Sequence, residues 1–455
     1  TSIGKEFGEL EADRKKYKEG SFPRQPRYDE LKSQLADAAT AFQKFLDELK
    51  VTFGQRDERI VQVDSSLQNT LKRLNAKRTA VVSTIVGEDR LNLIVTTTNT
   101  QRAHTIETPA KEINQLVAEF RKALTYPPRI DPRPAGQKLY DILVKPIEED
   151  LRGIDADTIL WSLDGTLRYI PVAAIWDKDK GYLTERFSNV VLTLASRDTL
   201  LMPVSDKAAW NALGVGVSKP MEGFSALAAV PDELDCIITD KQNKTVSAKP
   251  KCRTGVVNGR KLLDEKFTAT AFENAVGRYP ILHIASHFRL NPGNDKDSFL
   301  LLGGGDRRRF TVENLRNISL TDVELMVLSA CNTATPGGEK ANGVEIEGFG
   351  AVAQRQGAKA VLATLWPVAD ESTRDLMVRF YNLYDKSSLT KAEAMRQAQL
   401  EMLKGTKATK GNAAARGVEI VGDGKGTAVV FKPDPNAPYS HPYYWAPFVL
   451  FGNWR

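Results

Sequence analysis

Ile281-Leu-His-Ile-Ala-Ser-His287 and Glu324-Leu-Met-Val-Leu-Ser-Ala-Cys331 are the two stretches whose reading decides the fold. Each is a short apolar run that stops on a reactive side chain, His287 in one and Cys331 in the other. Each is followed by loop chemistry, Phe-Arg-Leu-Asn-Pro-Gly after His287 and Asn-Thr-Ala-Thr-Pro-Gly-Gly after Cys331. Runs of this length bounded by turn residues read as buried strands of a parallel sheet. Open parallel sheets carry their sites just beyond the carboxyl ends of the strands. Two such strands can therefore bring an imidazole and a thiol into one crevice. Free cysteines and histidines at strand ends are also commonly inert packing, so the context of each has to be weighed.

Working outward, strand and helix signals alternate from residue 211 to the end, which predicts an α/β domain with a mainly parallel central sheet flanked by helices. Strands are expected at 281–287, 299–302, 324–331, 359–366 and 448–451, with helices near 268–277, 311–316, 347–356, 371–384 and 389–403. Upstream, runs at 79–86 and 91–98 flank Gly87-Glu88-Asp89 and predict a hairpin. Thr108-Pro109 opens a helix with an N-cap and a first-turn proline. Further strand signals fall at 157–163, 168–175, 189–194 and 211–216. The polar stretch 231–266 reads as a surface excursion, and 405–427 as a loop. Apolar stripes at helical period, Leu31 to Leu49 and Ile60 to Leu74, predict a helical N-terminal segment. The expected organisation is thus 1–78 helical, 79–210 a first α/β part, and 211–455 the domain carrying His287 and Cys331.

Composition narrows the function classes. At 42% hydrophobic and 26% charged, the 455 residues are those of an ordinary globular chain. A net charge of +6 is mild at this length, and the one short basic run, Arg307-Arg308-Arg309, has no aromatic interleaving, so no nucleic-acid partner is expected. No apolar stretch approaches the ~20 residues of a membrane span, so no membrane partner is expected either. The chain opens on Thr1 and not Met, consistent with a fragment that has lost an upstream segment. Three cysteines argue against a disulfide framework and for a reducing, cytoplasmic setting, with Cys236 and Cys252 as bystanders. Four histidines make a metal improbable. His283 and His287 have the spacing of a zinc-binding helix, but Ile284 stands where glutamate is required. Gly303-Gly304-Gly305-Asp306 lacks the spacing of a nucleotide-binding loop, and no cofactor is expected.

Here the motifs become specific. Leu282-His-Ile-Ala-Ser-His287, Ser298-Phe-Leu-Leu-Leu302 and Leu328-Ser-Ala-Cys-Asn-Thr-Ala334 recur in order with Gly343-Val-Glu345, Gly348, Gly357-Ala358, Leu365-Trp-Pro-Val-Ala-Asp370 and His441-Pro-Tyr-Tyr-Trp-Ala-Pro-Phe448. Asp164-Gly-Thr-Leu167 and Ile170-Pro171 fit the same pattern. Over about residues 80–455 the sequence resembles the CHAT family, caspase-like peptidases of clan CD that are often fused to helical repeats. The resemblance implies a caspase-like α/β sandwich, with His287 as general base and Cys331 as nucleophile. It also implies oxyanion donors at the backbone N–H of Cys331 and of the residue after the histidine, here Phe288 where caspases have glycine. A phenylalanine would be strained there if positive φ were required.

By the same resemblance Ser329, two residues before the nucleophile, lines the pocket for the residue preceding the scissile bond. It is acidic in relatives that cut after Arg or Lys. Asp370 is an alternative source of acid, against a bland reading as a helix N-cap, and Glu345 is a further binding candidate, against a solvated one. His283 is read as structural, roughly 13 Å behind His287 along the strand. The function implied is a cysteine endopeptidase acting on a protein substrate, gated by an activating protein or an upstream helical-repeat region. The rivals are a proteolytically silent scaffold of the same fold and a thiol-dependent acyl-transfer enzyme.

Overall fold

The computed structural model describes residues 65–125, 130–204, 210–221, 223–243, 247–248, 251–289, 296–329, 331–332, 348–366, 368, 370–386, 388–405, 430–432 and 434–455, with parts of 6–34. Contacts divide the chain into two compact units, residues 1–114 with 138–164, and residues 115–137 with 165–455. In the first, β1 (Thr79–Val86) and β2 (Leu91–Thr96) form the expected hairpin, with Val86 opposite Leu91. β3 (Gln101–Ile106) continues it antiparallel on one side, and β4 (Thr158–Ser162) pairs parallel with β1 on the other. Valine, isoleucine and threonine fill β1, and nearly all of it is buried, as suits β-branched residues in a covered strand. The helical N-terminal segment is present at 25–34 and at Ser65–Arg73, while 35–64 lie outside the described residues.

In the second unit a small hairpin, β5 (Trp176–Asp177) and β6 (Gly181–Tyr182), precedes β7 (Ser188–Val191). The strand expected at 168–175 is instead two 3₁₀ turns, Gly165–Tyr169 and Val172–Ala174. Gly165 turns the chain at φ 55°, and Pro171 has no amide to offer a ladder. The main strands that follow are β8 (Ala212–Gly216), β9 (Ile238–Thr239), β10 (Val257–Leu263), β11 (Ile281–Ala285), β15 (Leu325–Leu328), β17 (Ala360–Thr364) and β18 (Phe448–Gly452). They run β7-β18-β17-β15-β11-β8-β10-β9 across the sheet. Every neighbouring pair is parallel except β17 with β18. A mixed, mostly parallel sheet with flanking helices is the architecture expected. The order reverses between β8 and β11, and such a switch point is where an open sheet leaves a crevice at its strand ends.

A second, smaller sheet stands beyond those ends, ordered β14 (Arg309–Thr311), β13 (Phe299–Leu301), β12 (Phe288–Arg289) and β16 (Cys331–Asn332). The chain leaves β11 at Ala285, turns through Ser286-His287 and enters this sheet. Ser286 Oγ donates to the Leu301 carbonyl at 2.7 Å and holds the turn.

The polar stretch 231–266 corrects the expectation of a surface excursion, since it holds the Val230–Ile237 helix, β9 and β10. Its charges concealed it. Lys261 lies in β10 with its side chain buried, its ammonium 2.5 Å from Asp235 on the helix. Gly214 and Gly216 of β8 let that helix press close, because a Cβ on Gly216 would come within 2.5 Å of the Val230 side chain. Cys236 and Cys252 are disulfide-bonded across 16 residues, which corrects their reading as bystanders in a chain without disulfides. The spacing carried no motif, and only the return of the chain beside the helix brings the two together. Closing a loop of this length contributes about 3 kcal/mol in the chain-entropy description. Cys252→Ser is therefore expected to lower the urea-unfolding free energy of the oxidised protein by about that much. An unchanged midpoint would contradict it.

His441 closes the unit near its C-terminal strand. Its Nδ1 accepts the Tyr443 amide at 3.0 Å and its Nε2 donates to the Ile130 carbonyl at 3.4 Å. Burial pushes the imidazole down to about 4, against a smaller opposing pull from that carbonyl. Below its usual value of about 6.5 the unfolded chain takes up a proton that the folded chain refuses. The stability is complete above that value and is lost as pH falls towards 4. Urea unfolding at pH 7 and pH 5 should show a drop about 2 kcal/mol larger for the native chain than for His441→Gln. Equal drops would refute the linkage.

Candidate active site

β11 and β15 pair in parallel, with His283 opposite Val327 and Ile284 opposite Leu328, so their carboxyl ends emerge side by side. The Ser329 amide continues the ladder onto the Ile284 carbonyl at 2.9 Å. The pairing then resumes in the smaller sheet, where β12 and β16 run parallel with Phe288 opposite Cys331. Adjacent strands lie about 4.8 Å apart. The residue directly after His287 is thus the ladder partner of Cys331.

His287 is half-buried. Its Nε2 donates to the Ser225 carbonyl at 2.8 Å, and the Phe224 ring lies 5.1 Å from the imidazole at a 41° tilt. A proton committed on Nε2 leaves Nδ1 with its lone pair, the form that can accept a proton. Phe224 and Ser225 stand beyond the carboxyl end of β8, on the connection to the Val230–Ile237 helix. Sequence reading passed over both, although the switch-point rule points to that connection.

Phe288 is buried and extended. Among the described residues positive φ outside glycine occurs at Asn75, Asp155 and Asp264, so no strain attends Phe288. The Leu301 amide donates to the His287 carbonyl at 2.8 Å, which makes Phe288 and Leu300 the pair without mutual hydrogen bonds. By the alternation of a strand, the Phe288 amide faces β16, the strand that contains Cys331.

Behind this sits a buried polar cluster. The Glu233 carboxylate accepts from His283 Nε2 at 3.0 Å and from the Ser329 hydroxyl, both on the same oxygen. His283 Nδ1 meets the Tyr381 hydroxyl at 3.2 Å. Desolvation, and next the Glu233 charge, hold the Tyr381 phenol well above its ordinary value, so its proton stays to be shared with Nδ1. His283 is therefore engaged behind the strand, while His287 lies beyond its end. Ser329 is buried under its bond to Glu233. Asp370 is the first residue of the Asp370–Lys386 helix, and Glu345 lies outside the described residues.

The matched residues 133–453 cover most of the sequence. The chain belongs to the CHAT domain family. No curated protein sequence matches this CHAT chain significantly. Among solved structures, it is similar to two crystal structures of the Saccharomyces cerevisiae separase–securin complex. Their TM-scores are 0.49 and 0.47 at 10% and 9% identity, and each covers 87% of this chain and 31% of the other. It is also similar to the Arg specific cysteine proteinase gingipain R, with TM-score 0.39, 10% identity, and 76% and 75% of the two chains covered. The CHAT chain thus spans less than a third of the length of the separase-complex chains it resembles.

Removing the His283 imidazole would leave the Glu233 carboxylate and the Tyr381 hydroxyl short of a partner inside the protein. An orphaned buried polar group costs about 1–3 kcal/mol. His283→Ala is expected to lose at least that much stability in urea titration, whereas a loss under about 0.5 kcal/mol would show the cluster to be dispensable.

Proposed function

We propose that this CHAT chain is a cysteine endopeptidase in which His287 activates Cys331. The observation that carries the reading is the parallel pairing of β12 with β16, which sets Phe288 opposite Cys331 directly after a histidine whose Nε2 is already committed to Ser225. A thiol attacks only as thiolate, and a neighbouring imidazole with a free nitrogen is the common means of producing one. In the reaction, His287 Nδ1 takes the Cys331 thiol proton and the thiolate adds to the scissile carbonyl carbon. The resulting oxyanion is assigned to the backbone amides of Cys331 and Phe288, of which the Phe288 amide has to turn out of its ladder with β16 to serve. The tetrahedral species collapses as His287 returns its proton to the leaving amine. Water, deprotonated by His287, then hydrolyses the thioester and releases the carboxylate product and the thiol.

A protein substrate and control by an activating partner or an upstream repeat region belong to the same reading, as does division into a helical segment 1–78, an α/β part 79–210 and a peptidase domain 211–455. Ser329, Asp370 and Glu345 stand as its substrate-binding candidates. The Ser329 hydroxyl is buried and already bonded to Glu233, which weighs against the serine and leaves Asp370 and Glu345 as the stronger candidates.

The test is cleavage of unstructured protein and peptide pools, with labelling by a thiol-directed peptide electrophile. Cys331→Ala should abolish both. His287→Ala should lower cleavage by about 10²–10⁴-fold. Full cleavage in Cys331→Ala would overturn the assignment. A folded native chain that neither cleaves nor labels, with or without candidate activators, would favour the scaffold.

A further inference from the structure

The smaller sheet carries more than the dyad's backbone. Arg289, two residues after His287, stands directly opposite Phe299 in the register of β12 and β13. Its guanidinium lies 5.1 Å from the Phe224 ring and 5.8 Å from the Phe299 ring. Arg309 reaches the same Phe299 ring from β14, its guanidinium 4.7 Å away. Phe299 is buried between strands, and both arginines are exposed. Among the described residues neither guanidinium has a carboxylate within ion-pair distance, whereas Arg307 close by is paired with Glu273 at 2.5 Å. Two like charges gathered on one ring repel each other, and stacking on aromatic faces holds them in place without neutralising them.

Phe224 links this pair to the candidate dyad. Its ring is 5.1 Å from the His287 ring and 5.1 Å from the Arg289 guanidinium. The base and the arginine are therefore separated by at most about 10 Å, the reach of about three residues of extended peptide. We propose that Arg289 and Arg309, presented on Phe299 and Phe224, form a subsite for an aspartate or glutamate side chain of the substrate within about three residues of the scissile bond. The proposal rests on the peptidase reading above and gives it a substrate class, an acidic segment. Guanidinium forks suit the choice, since they bind a carboxylate through two parallel hydrogen bonds where a lysine offers a point charge. A track for a polyanion fits less well, because Arg307 is paired with Glu273 and Arg308 donates to the Gly303 carbonyl.

The experiment uses the full chain and position-scanned peptide pools that carry Glu, Gln or Lys at each of about three places on either side of a random centre. Charge-assisted hydrogen bonds predict that one or more Glu pools are cleaved about 10- to 100-fold faster than the matching Gln pools. The ratio should shrink in about 0.5 M salt. Arg289→Glu should invert the preference towards Lys pools, an outcome that misfolding cannot produce. Equal cleavage of Glu and Gln pools by the native chain overturns the subsite and leaves the peptidase reading standing, and so does an unchanged preference in Arg289→Glu. Should no pool be cleaved, the same pools in fluorescent form are titrated against Cys331→Ala. Preferential binding of Glu pools then upholds the subsite while the peptidase reading falls, and indifferent binding sinks both. Inorganic phosphate that displaces a bound Glu pool at equal concentration would mark a general anion site and overturn the proposal.

Discussion

One buried carboxylate oxygen ties together the elements around the candidate site. Glu233 Oε1 accepts from His283 on β11 and from Ser329 just past β15, so a single helix is tied to both strands that lead towards His287 and Cys331. A carboxylate taken out of water at this depth is tolerable only with hydrogen-bond partners, and breaking one bond would leave the rest expensive. The cluster therefore sets the helix, both strands and Tyr381 in one arrangement. The connection that enters the same helix supplies Phe224 and Ser225, which hold His287. A constraint behind the sheet thus positions a side chain in front of it.

The place of the candidate site follows from topology. β8 sits where the strand order reverses, the point at which open sheets generally leave room for a site at their strand ends. The smaller sheet stands beyond those ends. It lets β12 and β16 continue side by side after the main ladder has ended, carrying Phe288 and Cys331 into register. Two glycines on β8 and the buried Lys261–Asp235 pair let the Val230–Ile237 helix approach the sheet closely enough for Glu233 to reach across.

Much of this was readable from local pattern. The hairpin at 79–96, the strands Ile281–Ala285 and Leu325–Leu328, and the helices after residue 370 show their periodicity openly, because each buries one face or both, although these two strands stop short of His287 and Cys331, the ends expected for them. The stretch 231–266 did not. β10 reads Val-Asn-Gly-Arg-Lys-Leu-Leu, and its lysine is buried only because Asp235 is brought beside it. The disulfide was equally hidden, since Cys236 and Cys252 share no motif and meet through the fold. Residues 168–175 err the other way: apolar enough for a strand, they are turned by Gly165 and Pro171 into 3₁₀ geometry.

The sequence by itself determined the alternation of strands and helices, the two apolar strands that lead towards His287 and Cys331, and membership of the CHAT family. These are properties of short windows, where burial period, turn residues and ordered motifs are written in consecutive positions. Only the tertiary structure decided what each site residue faces: Ser225 for His287, Glu233 for Ser329 and His283, and the Phe299 ring for Arg289 and Arg309. Those partners lie between 10 and 96 positions apart. No local period encodes such a meeting, which is settled by strand order, ladder register and the hydrogen bonds that buried polar groups must find.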